Sequence, residues 1–113
     1  MTTLEQQRQY LRRPIHASFR VRDAGDPSQG EILFDSVDLS QGGAFLESEL
    51  LLEIGEMVEV TFGLPGKIRP IRATARVAWA TGKGTCGMGL EFVNLNDEDR
   101  QAIAEYVHAA STT

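Results

Sequence analysis

The chain has 113 residues and a mass of 12.4 kDa, which is the size of a single domain. Hydrophobic residues make up 42% of it, too many for an intrinsically disordered protein, and no apolar run approaches the ~20 residues of a membrane span. One cysteine excludes an internal disulfide, and the net charge of −5 argues against broad binding of nucleic acid. Because the first residues lack the apolar stretch of a secretory signal, we expect a cytoplasmic protein without membrane insertion.

The charge is divided into blocks along the chain. Residues 1–22 have a net charge of +4, whereas residues 23–66 contain no basic residue and have a net charge of −10. Residues 67–90 have a net charge of +5, and residues 91–113 have a net charge of −4. A small barrel could bring the two basic blocks together as a local cationic patch. Pairing of opposite charges between neighbouring strands is the alternative, and the pattern leaves both open.

Alternating apolar and polar residues predict strands in the first part of the chain. The first strand is predicted from Ile15 to Arg22, and a turn cluster rich in Asp and Gly follows at residues 23–30. A second strand is predicted from Glu31 to Leu39, and its inward face is assigned to Leu33, Val37 and Leu39.

Four further strands and a helix complete the predicted elements. The strands are expected at residues 44–47, 57–62, 71–79 and 86–92, with Trp79 in phase with the buried positions of the third. Asn96 is a good helix cap, and the acids that follow it suit a first turn. Apolar residues then recur at helical spacing, at Ile103, Tyr106, Val107 and Ala110. Six short strands and one late helix predict a mainly β fold, either an antiparallel barrel or a sandwich.

The sequence offers little material for catalysis. Neither His16 nor His108 has a second histidine or a cysteine at ligand spacing, and Cys86 falls in phase with core positions. Residues 82–87 match the pattern G-x-G-x-x-G, but they join two predicted strands, whereas a dinucleotide site needs a following helix. We therefore expect no enzyme activity, no metal and no cofactor.

Two clusters carry polar groups suited to ligand recognition. Arg8 and Arg12 precede the first strand, and arginine is suited to bidentate contacts with guanine or phosphate. Asp38, Ser40 and Gly43 lie where the second strand is interrupted, and a carboxylate can accept hydrogen bonds from guanine N1–H and N2–H₂. Taken separately, each cluster is better explained without a ligand, the first as a solvated basic arm and the second as an Asx-type turn with a bulge.

Together the two clusters resemble the paired signature of the PilZ domain family, R-x-x-x-R followed after 20–30 residues by [D/N]-x-S-x-x-G. Arg8 and Arg12 supply the first motif, and Asp38, Ser40 and Gly43 supply the second in the same order. The segments R-V-A-W at residues 76–79 and G-M-G-L-E-F at residues 87–92 resemble the late-strand pattern of that family. The resemblance extends over residues 8–107.

The resemblance implies a fold and a function. The fold is a six-stranded antiparallel β-barrel with a C-terminal α-helix, here at residues 15–110, preceded by a flexible N-terminal arm at residues 1–14. The function is that of a cytoplasmic receptor for the bacterial second messenger cyclic di-GMP. On this hypothesis the arm becomes ordered on ligand binding, and the signal passes to an unknown downstream protein partner.

The resemblance also implies roles for single residues. Arg8 and Arg12 would contact guanine edges and phosphates, Asp38 and Ser40 would bind a guanine on the barrel surface, and Gly43 would shape the adjacent turn. Arg13 and Arg76 are further candidates for phosphate contacts.

Two other functions are compatible with such a barrel. One is a protein-interaction module of the same fold that does not need the nucleotide. The other is binding of single-stranded nucleic acid, which the acidic composition and the eight aromatic residues, none interleaved with the arginine arm, make the weaker hypothesis.

Overall fold

A computed structural model describes residues 12–26, 28, 30–49, 52–81 and 86–111, and Arg8 therefore lies outside the described residues. These residues form seven strands and one helix: β1 (Arg12–Pro14), β2 (Ser18–Asp23), β3 (Glu31–Ser40), β4 (Gly43–Glu47), β5 (Met57–Phe62), β6 (Ile71–Thr81), β7 (Gly87–Asn94) and α1 (Asp97–Ser111).

The strands form a closed antiparallel barrel. Their order in the sheet is β1-β3-β2-β5-β6-β7-β4, and an additional pairing between β3 and β4 joins the two sides into a ring of six strands. Strand β1 is a seventh strand that pairs with the last residues of β3. The predicted six-stranded barrel with a C-terminal helix is thus confirmed. In the ring, β4 lies opposite β5, because two strands separate them on either side.

The barrel interior is filled by apolar side chains, which in most strands come from every second residue. Phe19 and Phe62 lie parallel at its centre, with ring centroids 4.1 Å apart. Burial of such side chains is the main favourable term in folding. The other fully buried large side chains come from β3 to β7 and the helix: Leu39, Leu46, Val58, Val60, Ile71, Val77, Met88 and Ile103.

The inward face of β3 differs from the sequence prediction. Leu33 is 66% exposed and Val37 is 36% exposed, whereas Phe34 and Ser36 point into the barrel. An irregularity in the pairing of β3 with β4 between Ser36 and Asp38 shifts the alternation, so that Leu39 is buried as predicted. Ser36 tolerates burial because its hydroxyl accepts from the Ala17 N–H (3.2 Å) and lies 3.0 Å from the Ile15 carbonyl oxygen.

A second irregularity in strand pairing turns Trp79 outward. The register of β6 against β7 shifts between Val77 and Trp79, and the indole is 40% exposed although its position continues a buried series. The prediction of an inward Trp79 was wrong for this reason. Cys86, directly before β7, is half-buried, whereas the sequence places it in phase with core positions.

Helix α1 begins at the predicted cap and covers one end of the barrel. The side-chain oxygen of Asn96 accepts a hydrogen bond from the Asp99 N–H at 2.7 Å. Ile103 and Val107 are buried in the same core as the barrel residues. Among the described residues, no helix is long and apolar enough to cross a membrane.

Strand β1 is attached to α1 through Tyr106. Arg13 donates to the Tyr106 carbonyl oxygen at 2.8 Å, and its guanidinium lies 4.0 Å from the centroid of the Tyr106 ring. The Tyr106 hydroxyl donates to the Pro14 carbonyl oxygen at 3.2 Å. The last three residues of the predicted arm are therefore paired with the barrel, and the division of the chain after residue 14 stays a prediction.

Candidate ligand-binding face

The pairing of β1 with β3 brings the two predicted motifs together. Arg12 lies opposite Ser40 in the register, and Pro14 lies opposite Asp38. Arg12 Nη1 is 2.7 Å from Asp38 Oδ1, and the two side chains remain 40% and 29% exposed. An ion pair with this exposure contributes only about 0–1 kcal/mol to stability, so either partner can be exchanged at small cost.

Ser40 holds the turn between β3 and β4. It is 2% exposed, and its hydroxyl donates to the Gly43 carbonyl oxygen (3.3 Å) and accepts from the Gly42 N–H (3.1 Å). Both hydrogen-bonding capacities of the hydroxyl are thus used within the turn. In this structure Ser40 shapes the backbone beside Asp38.

Gly43 is required by space. A Cβ atom at this position would lie 1.9 Å from the carbonyl oxygen of Leu90 on β7, a contact that only a backbone movement could relieve. Gly43 pairs with Glu91 on β7. Because glycine has no side chain, β4 can approach β7 closely beneath the predicted site.

Next to Asp38 the barrel surface carries a pair of stacked aromatic rings. Asp38 lies opposite Phe45, Phe45 lies opposite Gly89, and Gly89 lies opposite Trp79. The rings of Phe45 and Trp79 are 5.2 Å apart between centroids, with an interplanar angle of 17°. We call these two residues the aromatic pair.

Glycines on β7 keep the aromatic pair against the sheet. A Cβ at Gly89 would lie 2.3 Å from Trp79 Nε1, and a Cβ at Gly87 would lie 2.4 Å from Phe45 Cζ. The rings therefore occupy the space that side chains on β7 would fill. The alternation of apolar residues does not reveal this pair, although glycines at alternate positions of a strand are a usable sign of close approach by another group.

Arg76 and Arg13 have different surroundings. Arg76 forms an ion pair with Glu91, which itself lies opposite Gly43, so Arg76 belongs to the outward row next to the aromatic pair. Arg13 points away from this row and is held at Tyr106. The structure thus brings together Arg12, Asp38, Ser40, Gly43 and Arg76, and we call this surface with the aromatic pair the ligand face. Arg13 is not part of it.

The groups on the ligand face are of the kinds that suit a planar, anionic ligand. The face offers guanidinium groups, a carboxylate and flat rings, each on a rigid strand. In the described residues no three Asp, Glu, His or Cys side chains are grouped as metal ligands.

The chain is similar to a known family and to several solved structures. The family model of the PilZ domain matches residues 6–109. The inhibitor of motility MotI/DgrA from Bacillus subtilis aligns with a TM-score of 0.75 at 23% identity, covering 92% of this chain and 51% of that chain. No curated protein sequence matches this one.

Two isolated PilZ domains are similar over almost their whole length. The PilZ domain of YcgR from Escherichia coli, solved with c-di-GMP, has a TM-score of 0.70 and 18% identity, with 95% of this chain and 93% of that chain covered. The PilZ domain of CeSA from a cellulose-synthesizing bacterium has a TM-score of 0.58 and 21% identity, with coverages of 88% and 97%. These identities establish the fold alone, and the chain spans about half the length of MotI/DgrA. From the family model, which matches nearly all of its residues, the chain belongs to the PilZ domain family.

Proposed function

We propose that the chain is a receptor for cyclic di-GMP and that the nucleotide binds on the ligand face. The observation that carries the proposal is the ion pair between Arg12 and Asp38, which joins the two halves of the PilZ signature on an exposed surface. The similarity of the fold to a PilZ domain solved with c-di-GMP supports the choice of ligand.

Asp38 and Arg12 have complementary tasks in this proposal. The Asp38 carboxylate accepts hydrogen bonds from N1–H and N2–H₂ of a guanine, which are donors that adenine does not present in this arrangement. The Arg12 guanidinium donates to guanine O6 and N7 or to a phosphate oxygen. Arg8, four residues earlier in the chain, supplies a second guanidinium to the same ligand.

Binding then replaces one partner of Asp38 by another. In the structure Asp38 is neutralised by Arg12. A bound guanine takes over the carboxylate, and Arg12 is released to contact the ligand together with the arm that precedes it. Because the ion pair is worth only about 0–1 kcal/mol, this exchange does not oppose binding strongly. Ordering of the arm around the ligand is the event that a partner protein would recognise.

The aromatic pair provides a surface for base stacking. Trp79 is 40% exposed beside the row that contains Asp38, and base stacking on an aromatic side chain is worth roughly 1–3 kcal/mol. Trp79 is also the single tryptophan of the chain, so its fluorescence reports on this face alone.

Calorimetric titration with cyclic di-GMP tests the proposal. We expect saturable binding, no comparable binding of cyclic di-AMP, and a loss of about 5- to 150-fold in affinity for Arg12→Ala and for Asp38→Ala. Arg69→Ala is the matched control, because Arg69 also forms an exposed ion pair, with Glu98, but lies outside the ligand face. Absence of saturable heat with the wild-type protein would contradict the proposal.

The Arg12→Ala variant also separates two roles of this arginine. If Arg12 only competed with the ligand for Asp38, its removal would free the carboxylate and raise the affinity. If Arg12 contacts the ligand, as proposed, the affinity falls.

A further inference from the structure

A second polar surface lies on the barrel around β5. Its side chains form two neighbouring rows across the strands, and the first row runs from Leu33 through Arg20 and Thr61 to Arg72. The second row runs from Glu31 through Arg22 and Glu59 to Thr74 and Asn94. Apart from Leu33, which lies at its edge, the residues of the two rows line an open groove of about 670 Å³, which we call the β5 groove.

The β5 groove contains two arginines that have no partner among the described residues. Of the eight arginines in the described part of the chain, six donate to a carboxylate or a carbonyl: Arg12, Arg13, Arg22, Arg69, Arg76 and Arg100. Arg20 and Arg72 make no hydrogen bond or ion pair with any residue that the structure describes. The two unpaired guanidiniums share one row and flank Thr61.

Other donors in the groove are also unused. The Nε–H of Arg22 is buried without a partner among the described residues, although its Nη2 bonds to Glu59 at 2.8 Å. The Thr61 hydroxyl between Arg20 and Arg72 likewise has no side-chain hydrogen bond within the described chain. The Arg22 Nε–H is the buried one of these donors, and buried donors are normally satisfied. Together with the exposed guanidiniums of Arg20 and Arg72 it makes the groove suited to an acceptor from outside.

The composition of the groove favours a peptide over a polyanion. Glu31 and Glu59 lie in the row next to the unpaired arginines and would repel a continuous chain of phosphates. Leu33, 66% exposed, ends the arginine row and offers an apolar contact. A peptide with separate carboxylates beside an apolar side chain would match this arrangement. Arginine together with apolar residues is also a typical composition of protein interfaces.

We propose that the β5 groove docks an acidic segment of a partner protein, with Arg20 and Arg72 each binding one carboxylate. The two arginines are two strands apart, roughly 10 Å, which equals the reach of about three residues of an extended peptide. The centre of the groove on β5 lies across the barrel from β4 of the ligand face. Strand β6 contributes to both surfaces, but Arg72 lies four residues before Arg76, so a docked segment and a nucleotide need not compete. The proposal does not depend on nucleotide binding.

The test uses a rhodamine-labelled peptide in which a leucine precedes two glutamates spaced three residues apart. Fluorescence anisotropy should show saturable binding with a Kd below about 1 mM, and the Kd should rise as salt is added. The double variant Arg20→Gln/Arg72→Gln should bind the peptide about tenfold more weakly. Amide shifts in NMR spectra should map the peptide to β2, β5 and β6.

Controls identify the reason for any change. Arg69→Gln removes an exposed arginine elsewhere and should leave peptide binding unchanged, and the double variant should keep its affinity for cyclic di-GMP. Failure of the nucleotide titration alone would leave this proposal standing. The docking proposal is overturned if the peptide with glutamine in place of glutamate binds equally well, or if the double variant binds the peptide like the wild type. It is also overturned if an oligonucleotide outcompetes the peptide, or if sedimentation shows a wild-type dimer that the double variant loses.

Discussion

On the ligand face each described arginine has a partner within the chain, whereas two of the three arginines in the β5 groove bind no residue that the structure describes. Arg12 pairs with Asp38 and Arg76 pairs with Glu91. Arg20 and Arg72 lie in one row with a threonine between them, and no carboxylate of the described residues binds either of them. An anion at Arg12 or Arg76 has to replace an ion pair, and this arrangement is suited to a switch. An anion at Arg20 or Arg72 replaces no ion pair with a described residue, and this arrangement is suited to a contact that does not switch.

The largest effect on stability is expected at Gly43, where β4 approaches β7 beneath the ligand face. Gly43→Ala puts a Cβ against the Leu90 carbonyl oxygen and forces β4 away from β7. We expect the free energy of unfolding, measured by urea denaturation, to fall by at least about 3 kcal/mol. This is the upper end of the usual cost of inserting extra atoms into a packed interior. Gly63→Ala is the matched control at the end of β5, where a Cβ meets nothing within 4 Å, and should change stability by less than about 0.5 kcal/mol. Equal stability of both variants would show that β4 and β7 are not in close contact.

A smaller effect is expected where the aromatic pair rests on β7. Gly89→Ala would displace the indole of Trp79, which unlike a backbone carbonyl can move away. We expect a cost of about 1 kcal/mol in stability and a red shift of the tryptophan emission as the ring becomes more exposed. Cyclic di-GMP should then bind more weakly and change the emission less than in the wild type. An unchanged emission spectrum would contradict the packing of Trp79 on Gly89.

The smallest effect is expected for Arg76. Its ion pair with Glu91 is about half exposed, so Arg76→Gln should change the free energy of unfolding by less than about 0.5 kcal/mol. If Arg76 contacts a phosphate, the variant should lose a few-fold in affinity for cyclic di-GMP, and the loss should shrink as salt is added. An affinity equal to that of the Arg69→Gln control at every salt concentration would remove Arg76 from the ligand face.

Alternation of residues was sufficient to predict the barrel but not its irregularities. Val60 and Phe62 are buried as their period of two requires. The errors at Leu33, Val37 and Trp79 arise because the register of a strand depends on its neighbours, and a single bulge reverses every later side chain. Ser36 could not be recognised as a core residue from the sequence. Its burial depends on hydrogen bonds with Ile15 and Ala17, which lie in the segment between β1 and β2.

The candidate site was predictable as a set of residues but not as an arrangement. The spacing of Arg12, Asp38, Ser40 and Gly43 indicated their family, yet nothing in the spacing shows that Arg12 and Asp38 neutralise each other. The aromatic pair depends on two register positions that meet across β7, so it becomes visible only when the strands are assembled. For the same reason Arg20 and Arg72, 52 positions apart in the sequence, form one row only in the folded barrel.

The contact between Arg13 and Tyr106 joins the first strand, β1, directly to the final helix, α1. A displacement of β1 toward a ligand at Arg12 would pull on the Tyr106 carbonyl and ring through the next residue in the chain. Such a movement would reach α1 both through Arg13 and through the hydrogen bond from the Tyr106 hydroxyl to Pro14. Because both contacts join β1 directly to α1, it would need no rearrangement of the barrel.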